Sequence, residues 1–209
     1  MNKIQFLSYC LLSTVYCLLS TSSRGQVYYD DVDSLAEKNP NIIVKYYDNG
    51  NMKSKGQYIN GSKQDKWTYY YENGRKSEQG EYVDGVVKGT WIYWHSNGQQ
   101  SMLGSFTNGI KKGKWIAIYY NGYKEREMYY EKGVQTGKYL VWYNNGHLKI
   151  SGNWKNKKKH GTWTWYHSNG EKRYQVNYVQ GKKHGKAIEW DQIGFKVKET
   201  DYKKGEIVN

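Results

Sequence analysis

Glycine returns every 24 residues along this chain, at Gly50, Gly74, Gly98, Gly122, Gly146, Gly170 and Gly194. Asn precedes the first six, as Asn49, Asn73, Asn97, Asn121, Asn145 and Asn169. Eight residues beyond each glycine stands an aromatic, in the series Tyr58, Tyr82, Phe106, Tyr130, Trp154, Tyr178 and Tyr202. Seventeen beyond stand Trp67, Trp91, Trp115, Tyr139 and Trp163. A register held over this length means that one small unit is copied along the chain. Each copy is too thin to bury its own apolar face and must use its neighbours.

The unit reads as two strands and two turns. Asn-Gly between aromatic and β-branched residues is a strong hairpin signal, and the periodic Asn-Gly pairs are predicted to form type I′ turns, with positive φ at both residues. A second turn falls eleven residues after each periodic glycine, as in Asn60-Gly61, Asp84-Gly85 and Asn108-Gly109. One strand is aromatic, such as residues 91–95, and its partner, such as residues 100–106, is more polar. The predicted fold is all-β, an elongated antiparallel meander of about six to seven 24-residue hairpin repeats over residues 41–209. Two strands per repeat advance the array by about 10 Å. Gly56, Gly80, Gly104 and Gly152 share strand parity with the aromatic two places on. A missing side chain there lets a neighbouring ring lie flat on the backbone. Gly89, Gly113, Gly137, Gly161 and Gly185 read as turn punctuation at a fixed phase.

Rings fall on both parities of the aromatic strand. Trp67, Trp91, Trp115 and Trp163 mark one face; Tyr70, Trp94, Trp142, Tyr166 and Trp190 mark the other. A sheet with rings on both faces must curl, stack on another sheet or dimerise. Trp91 and Trp115 are expected to be inward anchors, and Trp94, Trp142, Tyr166 and Trp190 form a candidate binding ledge.

The first residues read as a signal for export. Lys3 precedes a mostly apolar run, Ile4 to Ser20, followed by small residues. Cleavage after Gly25 is the preferred reading, and an uncleaved anchor is the alternative. Residues 26–40, with Asp30, Asp31 and Asp33, do not match the repeat and are expected to be an N-terminal cap or arm. Cys10 and Cys17 are the only cysteines and lie within the signal, so the mature chain has neither disulfides nor thiolate ligands. Cleavage also removes Lys3 and Arg24, leaving 30 basic residues against 19 acidic, a net charge of +11. A cation of this size is drawn to polyanions and anionic surfaces.

The basic residues have a phase of their own. Lys111, Lys112, Lys158, Lys159, Lys182 and Lys183 are expected to stack along one edge of the sheet as a candidate binding stripe. The same charge would also discourage strand-on-strand aggregation. Catalytic patterns do not emerge. His95 and His167 stand where other repeats have Tyr71, Tyr119 and Tyr143, and read as tyrosine replacements. His160 and His184 share a phase one repeat apart, too distant for a shared zinc. Glu78, Glu81, Glu125 and Glu127 fall on the polar strand and read as a solvated face. No nucleophile elbow or phosphate loop accompanies them, so neither enzyme activity nor a cofactor or metal is expected.

Gly152-Asn153-Trp154-Lys155-Asn156 with Lys159-His160-Gly161, and Tyr178 with the run Gly181 to Gly185, resemble MORN repeats. The likeness is to the longer bacterial variant, covers about residues 42–205, and departs from it where Met128 and Val176 replace glycine. It implies a scaffold that contacts lipid or protein and can self-associate. It also implies an antitoxin-like role as an alternative, one that an exported chain would fit poorly. The sequence is therefore read as a non-catalytic interaction protein of the cell envelope or exterior. Its expected partner is a protein, an anionic lipid or a polysaccharide, with nucleic acid disfavoured by export.

Overall fold

The computed structural model describes residues 41–208. The expected signal segment, the N-terminal arm and Asn209 lie outside the described residues. The first strands are β1 (Ile42–Tyr46), β2 (Met52–Ile59), β3 (Ser62–Tyr70), β4 (Lys76–Val83) and β5 (Val86–Trp94). They are followed by β6 (Gln100–Thr107), β7 (Ile110–Ile118), β8 (Lys124–Glu131), β9 (Val134–Trp142) and β10 (Leu148–Lys155). The last are β11 (Lys158–Tyr166), β12 (Lys172–Val179), β13 (Lys182–Trp190), β14 (Lys196–Lys203) and β15 (Glu206–Val208). Among the described residues they form one 15-stranded sheet in strict sequence order, every neighbouring pair antiparallel and none of them helical. The expected all-β meander is what forms, because each strand finds its partner across the shortest available loop.

The two turns differ, and their assignment reverses the expectation. At the periodic Asn-Gly pairs only the glycine has positive φ, as at Gly74 (+79°). The Gly74 N–H donates to the Tyr71 carbonyl at 2.9 Å, and the Tyr71 N–H donates to the Arg75 carbonyl at 2.8 Å. This is a three-residue loop, a type I turn followed by a left-handed glycine. Type I′ geometry belongs instead to the second turns, where both residues are left-handed, as at Asn108 (+48°) and Gly109 (+76°). The two-residue turns make the tighter reversal, which demands both positive angles.

The glycines read as turn punctuation lie inside the odd-numbered strands. Gly89, Gly113, Gly137, Gly161 and Gly185 have φ between +65° and +73°, and Asp65 takes the same conformation at +56° in β3. Each sits in a bulge facing the preceding strand. Gln57 pairs with Gln64 and Lys55 with Thr68, so one residue of β2 spans the same interval as three of β3. Across the other edge of β3 the pairing of Asp65, Lys66 and Trp67 with Tyr82, Glu81 and Gly80 is regular. A bulge repeated on one side of alternate strands adds twist and bend at every repeat.

That bend accommodates the inward rings. Trp67, Trp91, Trp115 and Trp163 are 1–2% exposed. Each indole lies on a glycine of the preceding strand: a Cβ added at Gly56, Gly80, Gly104 or Gly152 would come within 2.0–2.2 Å of it. Rings from both neighbouring strands meet each indole edge-on, as Tyr58 and Tyr82 do at Trp67, with centroids 5.2 and 6.2 Å away. Ring edges carry positive charge and ring faces negative, which favours this T-shaped packing. The core is thus a thin layer centred on a row of indoles, with Val176, Tyr178 and Ala187 buried beside Trp163.

Two hydrogen-bond ladders tie the three-residue loops together. Asn73 accepts the Arg75 N–H on Oδ1 and donates from Nδ2 to the Ser96 carbonyl, 23 residues ahead. Asn49, Asn97, Asn121, Asn145 and Asn169 repeat the pattern. A primary amide carries its acceptor and its donor on two adjacent atoms, so one short side chain serves its own turn and the next loop together. Beside it, the hydroxyls of Tyr47, Tyr71, Tyr119 and Tyr143 donate to carbonyls 23 residues ahead, at 2.6–2.8 Å. His95 and His167 replace tyrosine in this ladder, reaching the Ile118 and Trp190 carbonyls through Nε2 at 2.8 and 3.0 Å. A carbonyl only accepts, so the proton is on Nε2.

Candidate functional site

The expected basic stripe divides by strand parity. Lys111, Lys159 and Lys183 turn onto the indole-bearing face. The Lys111 ammonium is 4.3 Å from the Trp115 ring centre and 5.2 Å from that of Tyr130. Lys159 is 4.5 Å from Trp163, 5.0 Å from Trp165 and 5.1 Å from Tyr178. Lys183 caps Tyr202 at 4.7 Å. Lys63 makes the same cap over Trp67, and its ammonium donates to the Tyr69 hydroxyl at 2.7 Å. These cations seal the row of indoles. Burial, then the charge of Lys183, lowers the pKa of Lys159. Lys112, Lys158 and Lys182 remain exposed, so the six lysines form no single stripe. The sealing role had a sequence signal: Lys63, Lys111 and Lys159 each stand four residues before a tryptophan.

The ledge lies on the opposite face. Trp91 and Tyr93 pack together on the indole side, which turns Trp94 away. Trp94, Trp142, Tyr166 and Trp190 are each half-buried. The register sets Tyr70 opposite Lys76, Trp94 opposite Gln100, Trp142 opposite Leu148, Tyr166 opposite Lys172 and Trp190 opposite Lys196. They therefore form a row running across the strands. Lysines from the intervening strands lie over three of the rings: Lys76 is 5.9 Å from Trp94, Lys124 5.5 Å from Trp142 and Lys172 5.8 Å from Trp190. Sequence reading missed these lysines, although each precedes its ring by 18 residues.

Glu127 departs from the expected solvated carboxylate face, being 6% exposed between Ile116 and Leu140. Lys114 at 3.1 Å and Lys124 at 3.8 Å compensate its charge, and the Tyr129 hydroxyl donates to it at 3.2 Å. A buried carboxylate needs such partners. Glu125 is held by Arg126 and Glu199 by Lys186 and Lys196. Among the described residues no three His, Cys, Asp or Glu come together as metal ligands. Depressions on the two-residue-turn edge, such as that of about 430 Å³ between Asn108, Ile110 and Lys132, are open clefts between successive turns.

A family model described as MORN repeat variant matches residues 42–60, 135–156 and 159–180. The chain carries MORN-variant repeats. The matches begin at β1 and return from β9 to β12, and the unmatched stretch between them continues the same register through β3 to β8. Repeats of this type suggest a repeat scaffold of the interaction type, and proteins built from them are generally non-catalytic. No curated protein matches the chain. One solved structure, "Crystal Structure of TcdB2-TccC3-Cdc42", is similar over 77% of this chain at 12% identity, with a TM-score of 0.22. This chain covers 10% of that one.

Proposed function

We propose that the protein is an exported, non-catalytic interaction scaffold of the cell envelope or exterior, which holds an anionic partner along its repeats. The observation that carries this reading is the open sheet itself. One layer of 15 strands presents the same positions at the same step over and over, on a chain with a formal net charge of +13. A quasi-one-dimensional surface of this kind suits an extended partner better than a small molecule. The apolar run behind Lys3 supports export. Lys112, Lys158 and Lys182 are the members of the basic set free to meet a partner's charge, since Lys111, Lys159 and Lys183 are spent on ring faces.

Cell fractionation and co-sedimentation with envelope extract test the reading together. Recovery outside the cytoplasm is expected, with binding that weakens as salt rises, because screening shortens to about 8 Å at physiological ionic strength. The variant Lys112→Gln/Lys158→Gln/Lys182→Gln is expected to bind less while keeping its far-UV spectrum. A cytoplasmic protein, or one with no envelope binding at low salt, would overturn the proposal.

A further inference from the structure

The ledge has a spacing of its own. Successive ring positions are 24 residues and two strands apart, so the row repeats about every 10 Å. An extended β-1,4-linked glycan advances by nearly the same distance per disaccharide. Each pyranose in such a chain has an apolar C–H face and a rim of hydroxyls. An indole or phenol ring is the natural partner for that face, being apolar and carrying a negative π-surface. A nucleotide strand also stacks on rings, but its bases are not held at this period by their own covalent geometry.

The ledge cations add a second requirement. Lys76, Lys124 and Lys172 stand at intervals of 48 residues, one to every second ring step. Among the described residues Lys76 and Lys172 make no ion pair, while Lys124 shares Glu127 with Lys114 and Lys196 is bound to Glu199. A polymer with regularly placed carboxylates satisfies the free ammoniums and the rings in one pose. A neutral glycan leaves the cations without partners.

The row has one gap. Ile118 occupies the ring position between Trp94 and Trp142, with Lys124 opposite it. Trp142, Tyr166 and Trp190 follow without interruption over about 20 Å. We propose that this face is a binding track for an acidic, β-linked polysaccharide laid across the strands, with Trp142, Tyr166 and Trp190 as its principal stacking platforms and Lys76 and Lys172 as its charge contacts. The track rests on the interaction-scaffold reading and names the partner for one face of it. Single sites of this sort are weak. The affinity comes from engaging several at once, the second and later contacts being intramolecular.

Hyaluronan oligosaccharides, β-linked with one carboxylate per disaccharide, are the probe, with binding read by calorimetry and tryptophan fluorescence on the purified chain. Affinity is expected to climb with length through about three disaccharides, the span of the uninterrupted rings, and to gain again at about five, the length that reaches Lys76. The variant Trp142→Ala/Tyr166→Ala/Trp190→Ala is expected to bind about tenfold more weakly or worse. Should it fail to fold by far-UV spectroscopy, Trp142→Tyr/Trp190→Tyr takes its place and is expected to retain most of the affinity, while Trp142→Leu/Trp190→Leu does not. Lys76→Gln/Lys172→Gln is expected to flatten the salt dependence and leave the length dependence in place. Equal binding by ring variants and wild type overturns the track, as does equal binding of an α-linked polyanion or of single-stranded DNA matched in charge. Continued capture of envelope extract by a protein that ignores hyaluronan would sink the track and leave the scaffold reading standing. Loss of both would sink both.

Discussion

Trp115 lies flat on Gly104, so closely that a Cβ added to the glycine would come 2.0 Å from the indole Cδ2. Where the glycine is missing, the ring is smaller or gone. Met128 stands eleven residues before Tyr139, in the phase that Gly104 holds before Trp115, and Val176 pairs with Ala187, at 1% and 2% exposure. Glycine with tryptophan and valine with alanine are two ways of filling one slot. Gly104→Ala is therefore expected to cost at least about 1–3 kcal/mol by overpacking, and so is Ala187→Trp alone. The double variant Val176→Gly/Ala187→Trp is expected to recover most of the loss. Urea unfolding of the single and double variants measures the coupling, and strict additivity would refute it.

Lys157 is a defect in an otherwise regular series. It has φ +63° at a turn position held by Gly61, Gly85, Gly109, Gly133, Gly181 and Gly205 in the equivalent turns. A side chain in the left-handed region costs about 1 kcal/mol or more, which glycine avoids. Lys157→Gly is expected to raise the melting temperature, while Gly109→Lys lowers it. Thermal scans of the two variants should move in opposite directions.

The asparagine ladder distinguishes an amide from a carboxylate of the same shape. Asn121 donates from Nδ2 to the Asn144 carbonyl at 2.7 Å and accepts the Tyr123 N–H at 3.2 Å. Asn121→Asp keeps the acceptor but sets oxygen against oxygen, and is expected to destabilise by about 1–2 kcal/mol. Asn121→Ala should lose about as much. Indifference to both in chemical denaturation would show that the loops are not coupled through this side chain.

His95 does the work of a tyrosine hydroxyl, donating to the Ile118 carbonyl. His95→Tyr is expected to be neutral, because Tyr71 and Tyr119 make the same bond in adjacent repeats. His95→Phe removes the donor and is expected to cost about 1 kcal/mol. The comparison is made at neutral pH by urea titration.

Alkali should attack the ring-lined face. Burial, ahead of Glu78 and Tyr82, pushes Tyr93 up to about 12, and burial also raises Tyr82. A phenol whose folded pKa lies above its unfolded value stabilises the fold fully below the unfolded value of 10 and loses that contribution as pH rises toward 12. Stability is thus expected to be flat to about pH 9.5 and to fall across pH 10–12. Spectrophotometric phenol titration alongside far-UV spectra should show late ionisation coinciding with unfolding. Full ionisation of all phenols near pH 10 with the fold intact would contradict the packing.

The 24-residue register by itself determined the all-β meander, the sequence-ordered sheet and the two ring-bearing faces. Alternation and turn residues act locally, and each strand pairs with the next, so local pattern is nearly the whole topology. The glycines that receive the indoles were legible for the same reason, as were the two histidines in tyrosine positions. The tertiary structure decided what depends on distance between repeats. It assigned type I′ geometry to the other set of turns and moved Gly89 and Gly113 from turns into strand bulges, because φ angles follow from how many residues must bridge a given gap. It buried Glu127 between Ile116 and Leu140, neighbours contributed by adjoining strands. It also split the lysines, since Lys111 and Lys112 adjoin in sequence but point to opposite faces of a pleated strand, one onto indole and one into solvent.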